Sequence, residues 1–205
     1  MSSTGYRVPA SAQSAEQEIK RSRFIAIAAR TDTPEAAKAF IEGVRAEHPQ
    51  ARHVCSAFVA GAPTDTQCLG FSDDGEPNGT AGKPILAVLQ GSGVGEIAIA
   101  VVRYSGGIKL GTGGLVRAYG GTAQMAMQQL AWLEVEPQQQ ITLTFGYDLT
   151  ARVEQLIAAA EGKVVTASYD AEVRFEATVP TRETDALVKQ LTDAAGGQIS
   201  CVVKR

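Results

Sequence analysis

A chain of 205 residues has room for one large or two small domains, and 44 % hydrophobic with 20 % charged residues is ordinary globular material. A formal net charge of −3 excludes the strongly basic balance behind an indiscriminate nucleic-acid grip, though not a local basic patch. The longest apolar runs, Phe24–Ala29 and Ile97–Val102, have six residues, too few for a membrane span.

The opening MSSTGYRVPA has no apolar h-region, so no secretory signal is expected. Three cysteines, an odd number, give no disulfide framework, and a reduced cytoplasmic protein is expected. Arg23–Ala29 reads as a strand, flanked by a small basic cluster of Lys20, Arg21 and Arg23 that is expected to be a solvated strand flank. Thr33-Pro34 marks a helix start, with Ala37, Phe40, Ile41 and Val44 as the buried stripe and His48-Pro49 as the stop. Arg52–Gly61 is the next strand. His53 and Cys55 share one of its faces, but no third group is in view to orient a catalytic pair, so Cys55 is expected to be a small buried residue. Two histidines and three scattered cysteines make no zinc spacing.

Phe71–Pro84 reads FSDDGEPNGTAGKP, a turn-forming stretch. Asp73, Asp74 and Glu76 could hold a divalent cation, but they do not match a calcium loop, and a solvated turn is the expectation. A helix follows over about Gly82 to Gln90, with Thr80 or Ala81 near its start. Lys83 stands at its N-terminus, where a cation is unfavourable to the dipole unless an anion compensates, so this is one candidate anion corner. Glu96–Tyr104 alternates Ile97, Ile99 and Val101 with Ala98, Ala100 and Val102, and its length and flanking glycines predict a buried strand. The loop Ser105–Gly111 carries Gly106, Gly107 and Lys109. Thr112 is then the expected N-cap of a helix containing Gly113, Gly114 and Arg117 and running to about Trp132.

A helix start offers unpaired N–H groups and a positive dipole end, which suit an anion. Arg103, Lys109 and Arg117 are expected to converge on this second candidate corner, with Tyr104 beside them. The alternative is that the helix glycines serve close packing alone. Lys109 is followed by Leu110, so this is no Walker loop, and GSGVGE precedes a strand rather than following one, so it is a poor dinucleotide fingerprint. No cofactor or metal signature stands out.

Glu136-Pro137 and Gln138–Gln140 are polar and proline-marked, a plausible linker, which divides the chain into residues 1–136 and 137–205. Beyond it come a strand over Ile141–Tyr147, a helix with Leu149, Val153, Leu156 and Ile157, and strands over Lys163–Tyr169 and Glu172–Val179. A helix capped by Thr181 and a strand with Ile199, Cys201 and Val203 complete the order βαββαβ. Phe175 falls with Val173 and Val179 on the core face, while Glu172, Arg174 and Glu176 point outward. The stacking aromatics of an RNA-recognition sheet are therefore missing, and a structural or docking module is expected.

GVGEIAIAVVRYSGGIKLGTGGLVRAYG, with FSDDGEPNGTAGKP before it, resembles the signature of the YigZ/IMPACT family. KRSRFIA, AEHPQARHVCSAF and the C-terminal pattern extend the resemblance to the bacterial YigZ branch over nearly the whole chain. The resemblance implies an α+β protein of two domains. The first is a ribosomal-protein-domain-2-like α/β sandwich, similar to domain IV of elongation factor G. The second is a ferredoxin-like domain, similar to domain V of that factor. Eukaryotic relatives regulate translation by competing for an activator of a starvation-responsive kinase, and they carry an extra N-terminal partner-binding domain that has no counterpart in this sequence. Where the family carries two aromatics after the arginine, here Tyr104 is followed by Ser105. Two functions stay open. One is a translation-related regulator that binds RNA or a translation component through a glycine-rich basic groove. The other is an enzyme or sensor acting on a nucleotide or phosphorylated small molecule. Lys83, Arg103, Tyr104, Gly106, Gly107, Lys109, Thr112, Gly113, Gly114 and Arg117 are the expected anion-binding set. His53, Asp73, Asp74, Glu76 and Thr80 are its possible support.

Overall fold

The apolar run Ile97–Tyr104 is the middle strand of a five-stranded sheet, where both of its faces are covered. The structure, a computed structural model, describes residues 5–204. Its strands are β1 (Tyr6–Pro9), β2 (Gln13–Ile19), β3 (Ser22–Arg30), β4 (His53–Val59), β5 (Leu69–Ser72), β6 (Ile97–Tyr104) and β7 (Trp132–Val135) in a first unit, Tyr6–Val135. A second unit begins at Glu136 and contains β8 (Gln138–Phe145), β9 (Lys163–Tyr169), β10 (Val173–Pro180) and β11 (Ile199–Val203). The helices are α1 (Pro34–Glu47), α2 (Gly82–Ser92), α3 (Thr112–Gln129), α4 (Thr150–Ala159) and α5 (Thr181–Ala194).

In the first unit the sheet order is β2-β3-β6-β4-β5, every neighbour antiparallel. Side-chain alternation sends Phe24, Ala26, Ala28, Cys55, Ala57, Ile99 and Val101 to one face, where Ile85 and Leu89 of α2 and Leu115, Tyr119 and Ala123 of α3 cover them. Phe24 and Tyr119 meet edge-to-face, ring centres 5.3 Å apart, an arrangement worth about 0.5–1.5 kcal/mol beyond the area it buries. Among the described residues the other face has α1 alone, with Val44 over Val54, Ala100 and Val102. α1 begins as its sequence predicts, the Thr33 side chain accepting from the Ala36 amide at 3.1 Å. β1 and β7 form a separate two-stranded ribbon in which Tyr6 lies opposite Val135. Tyr6 donates to Glu96 at 2.6 Å and Arg30 reaches the same carboxylate at 2.7 Å, which fastens the ribbon to the sheet.

In the second unit the order β11-β8-β10-β9 is reached through the expected βαββαβ succession. Leu143, Phe145, Val173, Phe175 and Val179 face Val153 and Ile157 of α4 and Leu187 and Leu191 of α5. Thr142, Thr144, Arg174 and Glu176 alternate onto the uncovered face.

Three expectations are corrected. Gln138–Gln140 is not linker but the start of β8, paired with Val179 and its neighbours in β10, because a polar run suits a strand whose outer face is wet. α3 stops at Gln129 and Trp132 opens β7, since Val8 and Pro9 need a partner strand to be buried. Thr181 caps nothing: Pro180 holds the cap position and the Thr181 hydroxyl donates to the Pro137 carbonyl at 2.9 Å.

Candidate anion-binding site

The loop after β6 delivers the chain to the start of α3, and the cap position there is Gly111, not Thr112. Gly111 has φ 74° and ψ 164°, which no ordinary side chain adopts easily, and no side chain closes the helix start. Leu115 donates to the Gly111 carbonyl at 2.9 Å, so the amides of Thr112, Gly113 and Gly114 precede the first helical bond. All three residues are exposed or half-exposed, and the first turn has no acidic residue.

The turn between β2 and β3 adjoins this helix start. Lys20 and Arg21 fill it with φ of 48° and 62°, the double left-handed geometry of a tight hairpin that usually falls to Asn or Gly. Holding two long side chains there costs on the order of 1–2 kcal/mol each. Gly106 clamps the turn: its amide donates to Ser22 Oγ at 3.2 Å, and a Cβ at Gly106 would lie 2.0 Å from the Arg21 carbonyl oxygen. Lys20 and Arg117 line one cavity of about 170 Å³ with Gly114, Leu110, Ile19 and Ala118. Lys109 precedes Leu110 in the chain and is exposed. Among the described residues, Lys20, Arg21, Lys109 and Arg117 are in no salt bridge, whereas Arg23 and Arg45 each hold a carboxylate. The arrangement is a helix N-terminus with no capping side chain, with Lys20 and Arg117 in the cavity beside it, Arg21 in the adjoining turn and Lys109 in the preceding loop, and such a combination suits an anion.

Arg103 is not among those cations. It is buried, and Nη1 donates to Glu76 at 2.6 Å, because a guanidinium inside the sheet–helix core needs a counter-charge. Tyr119 donates to the same Glu76 oxygen at 2.8 Å, His53 Nε2 stands 4.0 Å from it, and the Phe24 ring lies under Arg103. Arg103 Nε has no partner among the described residues. Burial drives the Tyr119 hydroxyl far above its ordinary range. Burial also pushes the Cys55 thiol up to about 12, with Tyr119 acting the other way and Glu76, Asp74 and Asp73 adding to it.

The acids of the 71–84 stretch are fastenings, not a solvated turn. Asp73 accepts from the amides of Gly79, Ala81 and Gly82 at 2.8–3.0 Å and so supplies the anion at the start of α2. Burial raises the Asp73 carboxyl, but the three amides and Lys83 outweigh it and hold it below its usual range. The first expected anion corner is thus filled by the chain's own side chain, which compensates Lys83. Asp74 accepts from the Val54 amide at 2.6 Å and pairs with Arg45 at 2.9 Å. His53 donates through Nδ1 to the Asp74 carbonyl at 2.7 Å. The Thr80 hydroxyl donates to the Pro77 carbonyl at 2.6 Å. Among the described residues, no group of three acids, histidines or cysteines is placed to hold a metal.

Of the expected anion-binding set, Gly106, Lys109, Thr112, Gly113, Gly114 and Arg117 therefore lie around the open helix start, with exposed Gly107 in the same loop. Tyr104 is half-buried, its hydroxyl 2.9 Å from His48 Nδ1 and Arg23 over its ring. Glu76 and His53 belong to the internal cluster with Arg103, whereas Asp73, Asp74 and Thr80 fasten the 71–84 stretch to α2, β4 and α1 and to itself. Lys20 and Arg21 were missed as partners of the corner, because β2 is too polar to be read as a strand and the hairpin turn stays hidden with it.

Comparison with known proteins agrees with this architecture. A family model described as the Impact N-terminal domain matches residues 20–127, and one described as a domain of unknown function, DUF1949, matches residues 143–198. The chain belongs to the IMPACT family. It is 51 % identical to the IMPACT family member YigZ of Escherichia coli K12 over 192 residues, 94 % of each chain. It is 34 % identical to the IMPACT family member YvyE of Bacillus subtilis 168, over 88 % of this chain and 82 % of that one. A solved structure titled a hypothetical protein superposes with a TM-score of 0.79 at 48 % identity over 98 % of both chains. A structure from Thermus thermophilus superposes at 0.53 and 12 % identity, covering all of this chain but 29 % of the other, and shows the fold alone. Within this IMPACT family chain, the first matched region carries both the open corner at α3 and the Glu76 network.

Proposed function

We propose that this IMPACT family protein is a translation-related regulator of the cytoplasm that binds RNA, or an RNA-bearing part of the translation apparatus, through the corner at the start of α3. The observation that carries this reading is the uncapped helix start whose cavity is lined by Lys20 and Arg117 and by no carboxylate, with Arg21 in the adjoining turn and Lys109 in the preceding loop. On a chain of net charge −3, one such patch suits a shaped phosphate surface better than a long featureless one. The family resemblance supplies the translational setting and likens the two units, divided near residues 136–137, to the ribosomal-protein-like and ferredoxin-like domains of an elongation factor. Arg103 is left out of the binding set because its charge is consumed by Glu76.

The test is co-sedimentation of the full chain with ribosomal subunits and with free RNA across a salt series. It is compared with a variant in which Lys20, Arg21, Lys109 and Arg117 are all alanine. Association that weakens with salt and is lost in the variant is expected, with a shallow salt slope because few phosphates are contacted. No association at low salt, together with nucleotide binding or turnover that the variant loses, would replace this reading with that of a nucleotide enzyme or sensor.

A further inference from the structure

The other side of the first sheet carries a different opening, independent of the reading above. Among the described residues α1 alone covers that side, and at the β4–β5 margin it leaves a trough of about 370 Å³. Ile41, Val54 and Phe58 give the trough an apolar floor, and Gly70 and Ser72 of β5 form its outer wall. β5 is the last strand of the sheet, so its far edge is unpaired. The Ala60 amide donates to the Cys68 carbonyl at 2.8 Å, which fixes the alternation: Cys68, Gly70 and Ser72 turn their backbone groups toward β4, and Leu69 and Phe71 turn theirs outward. Gly70 presents no side chain beside the trough, because a Cβ there would lie 2.4 Å from the Phe58 ring. Phe71 is 45 % exposed on the opposite face.

We propose that this edge and trough together form a docking site for an extended peptide segment of a partner protein, which adds to β5 as a sixth strand. The outward N–H and C=O groups of Leu69 and Phe71 are matched at strand spacing by another polypeptide backbone, not by nucleic acid or lipid. A residue of that peptide lying beside Gly70 sends its side chain under α1, onto Phe58, Val54 and Ile41, and its neighbours on either side point away. The peptide therefore carries large apolar residues at alternate positions. At the rim, Lys38 and Glu42 stand one helical turn apart and form no ion pair among the described residues, while Arg45 is already engaged by Asp74. An acidic and a basic flanking residue in the peptide complement that order and set the direction in which it lies.

The experiment is selection of random peptides displayed on phage against the full chain. Binding of a selected peptide is then measured by fluorescence anisotropy, and amide hydrogen exchange of the complex is followed. The expected result is a peptide of alternating apolar residues that slows exchange at Leu69 and Phe71. Phe71→Pro removes the outward donor and leaves the β4 pairing intact, so it weakens binding by about tenfold or more relative to Phe71→Ala, which loses the same ring but keeps the N–H, with an unchanged circular dichroism spectrum. N-methylation of alternate peptide residues tests the same hydrogen bonds without altering the protein, and is expected to abolish binding in one register only. The inference is overturned if no peptide is enriched, if protection falls on β9, β11 or α3 instead, or if N-methylation in either register leaves affinity unchanged. Self-association through β5, read as a mass increase that the peptide does not reverse, would also overturn it. Retention of RNA binding by Phe71→Pro keeps this outcome separate from that of the α3 corner.

Discussion

Glu76 is the residue on which the first unit's interior turns. One carboxylate in a turn-forming stretch reaches β6 through Arg103 and α3 through Tyr119. Removing one member of a buried ion pair leaves the other charge uncompensated, so Glu76→Gln is expected to destabilise the protein by about 3–5 kcal/mol. Urea unfolding checks this, and Glu76→Met combined with Arg103→Met should recover much of the loss, because no bare charge then remains. Asp73 gives a pH signature. Its carboxyl is depressed in the folded protein, so the stability it contributes is complete above the unfolded value of about 3.9 and is lost as pH falls through the lower folded value. Unfolding midpoints followed downward from that value should show the loss in the native chain and not in D73N. Cys55, with its thiol pushed up to about 12, is expected to resist a thiol reagent at pH 8 until the protein is unfolded, and reagent uptake with and without urea measures this.

At the scale of elements, α3 sets stability against binding. Its first turn lacks both a capping side chain and an acid. Thr112→Asp should therefore stabilise the helix by about 0.3–1 kcal/mol while weakening RNA association, two shifts of opposite sign in one variant. Thermal unfolding beside the sedimentation assay reads both, and a variant that gained stability and kept its RNA would separate the helix start from binding. The same element shows what a linear reading can and cannot see. β6, α1 and the core-facing stripes of β10 and α5 were legible because burial on fixed faces leaves a period in the sequence. β1, β5 and β7 have four residues each and owe their existence to partners elsewhere in the chain, so no local period announces them. The site was half legible for a related reason. Glycines and cations next to a strand mark an open helix start, but whether a given charge is free or spent depends on what folds against it. Arg103 and Lys109 look alike in sequence, and only the core distinguishes them.

At the scale of the molecule, the boundary between the two units is narrow. β7 ends at Val135 and β8 begins at Gln138, so only Glu136 and Pro137 lie outside strands. A fragment ending at Val135 is expected to fold throughout, whereas one ending at Leu130 should keep the five-stranded sheet but lose order around β1, because it strips the partner from β1 and uncovers Val8 and Pro9. Dispersion of amide resonances in the two fragments decides the matter. Tyr6 and Val135, which lie opposite each other in the ribbon, are also the first and last residues of the unit. The ribbon thus closes the largest loop the unit contains, and such a closure costs entropy that grows with the logarithm of its length. During synthesis the first strand made must wait, unpaired, for the last one to emerge. The five-stranded sheet can assemble before that moment. This unit is therefore expected to reach its final form in two steps on the ribosome, the second gated by the arrival of Trp132–Val135.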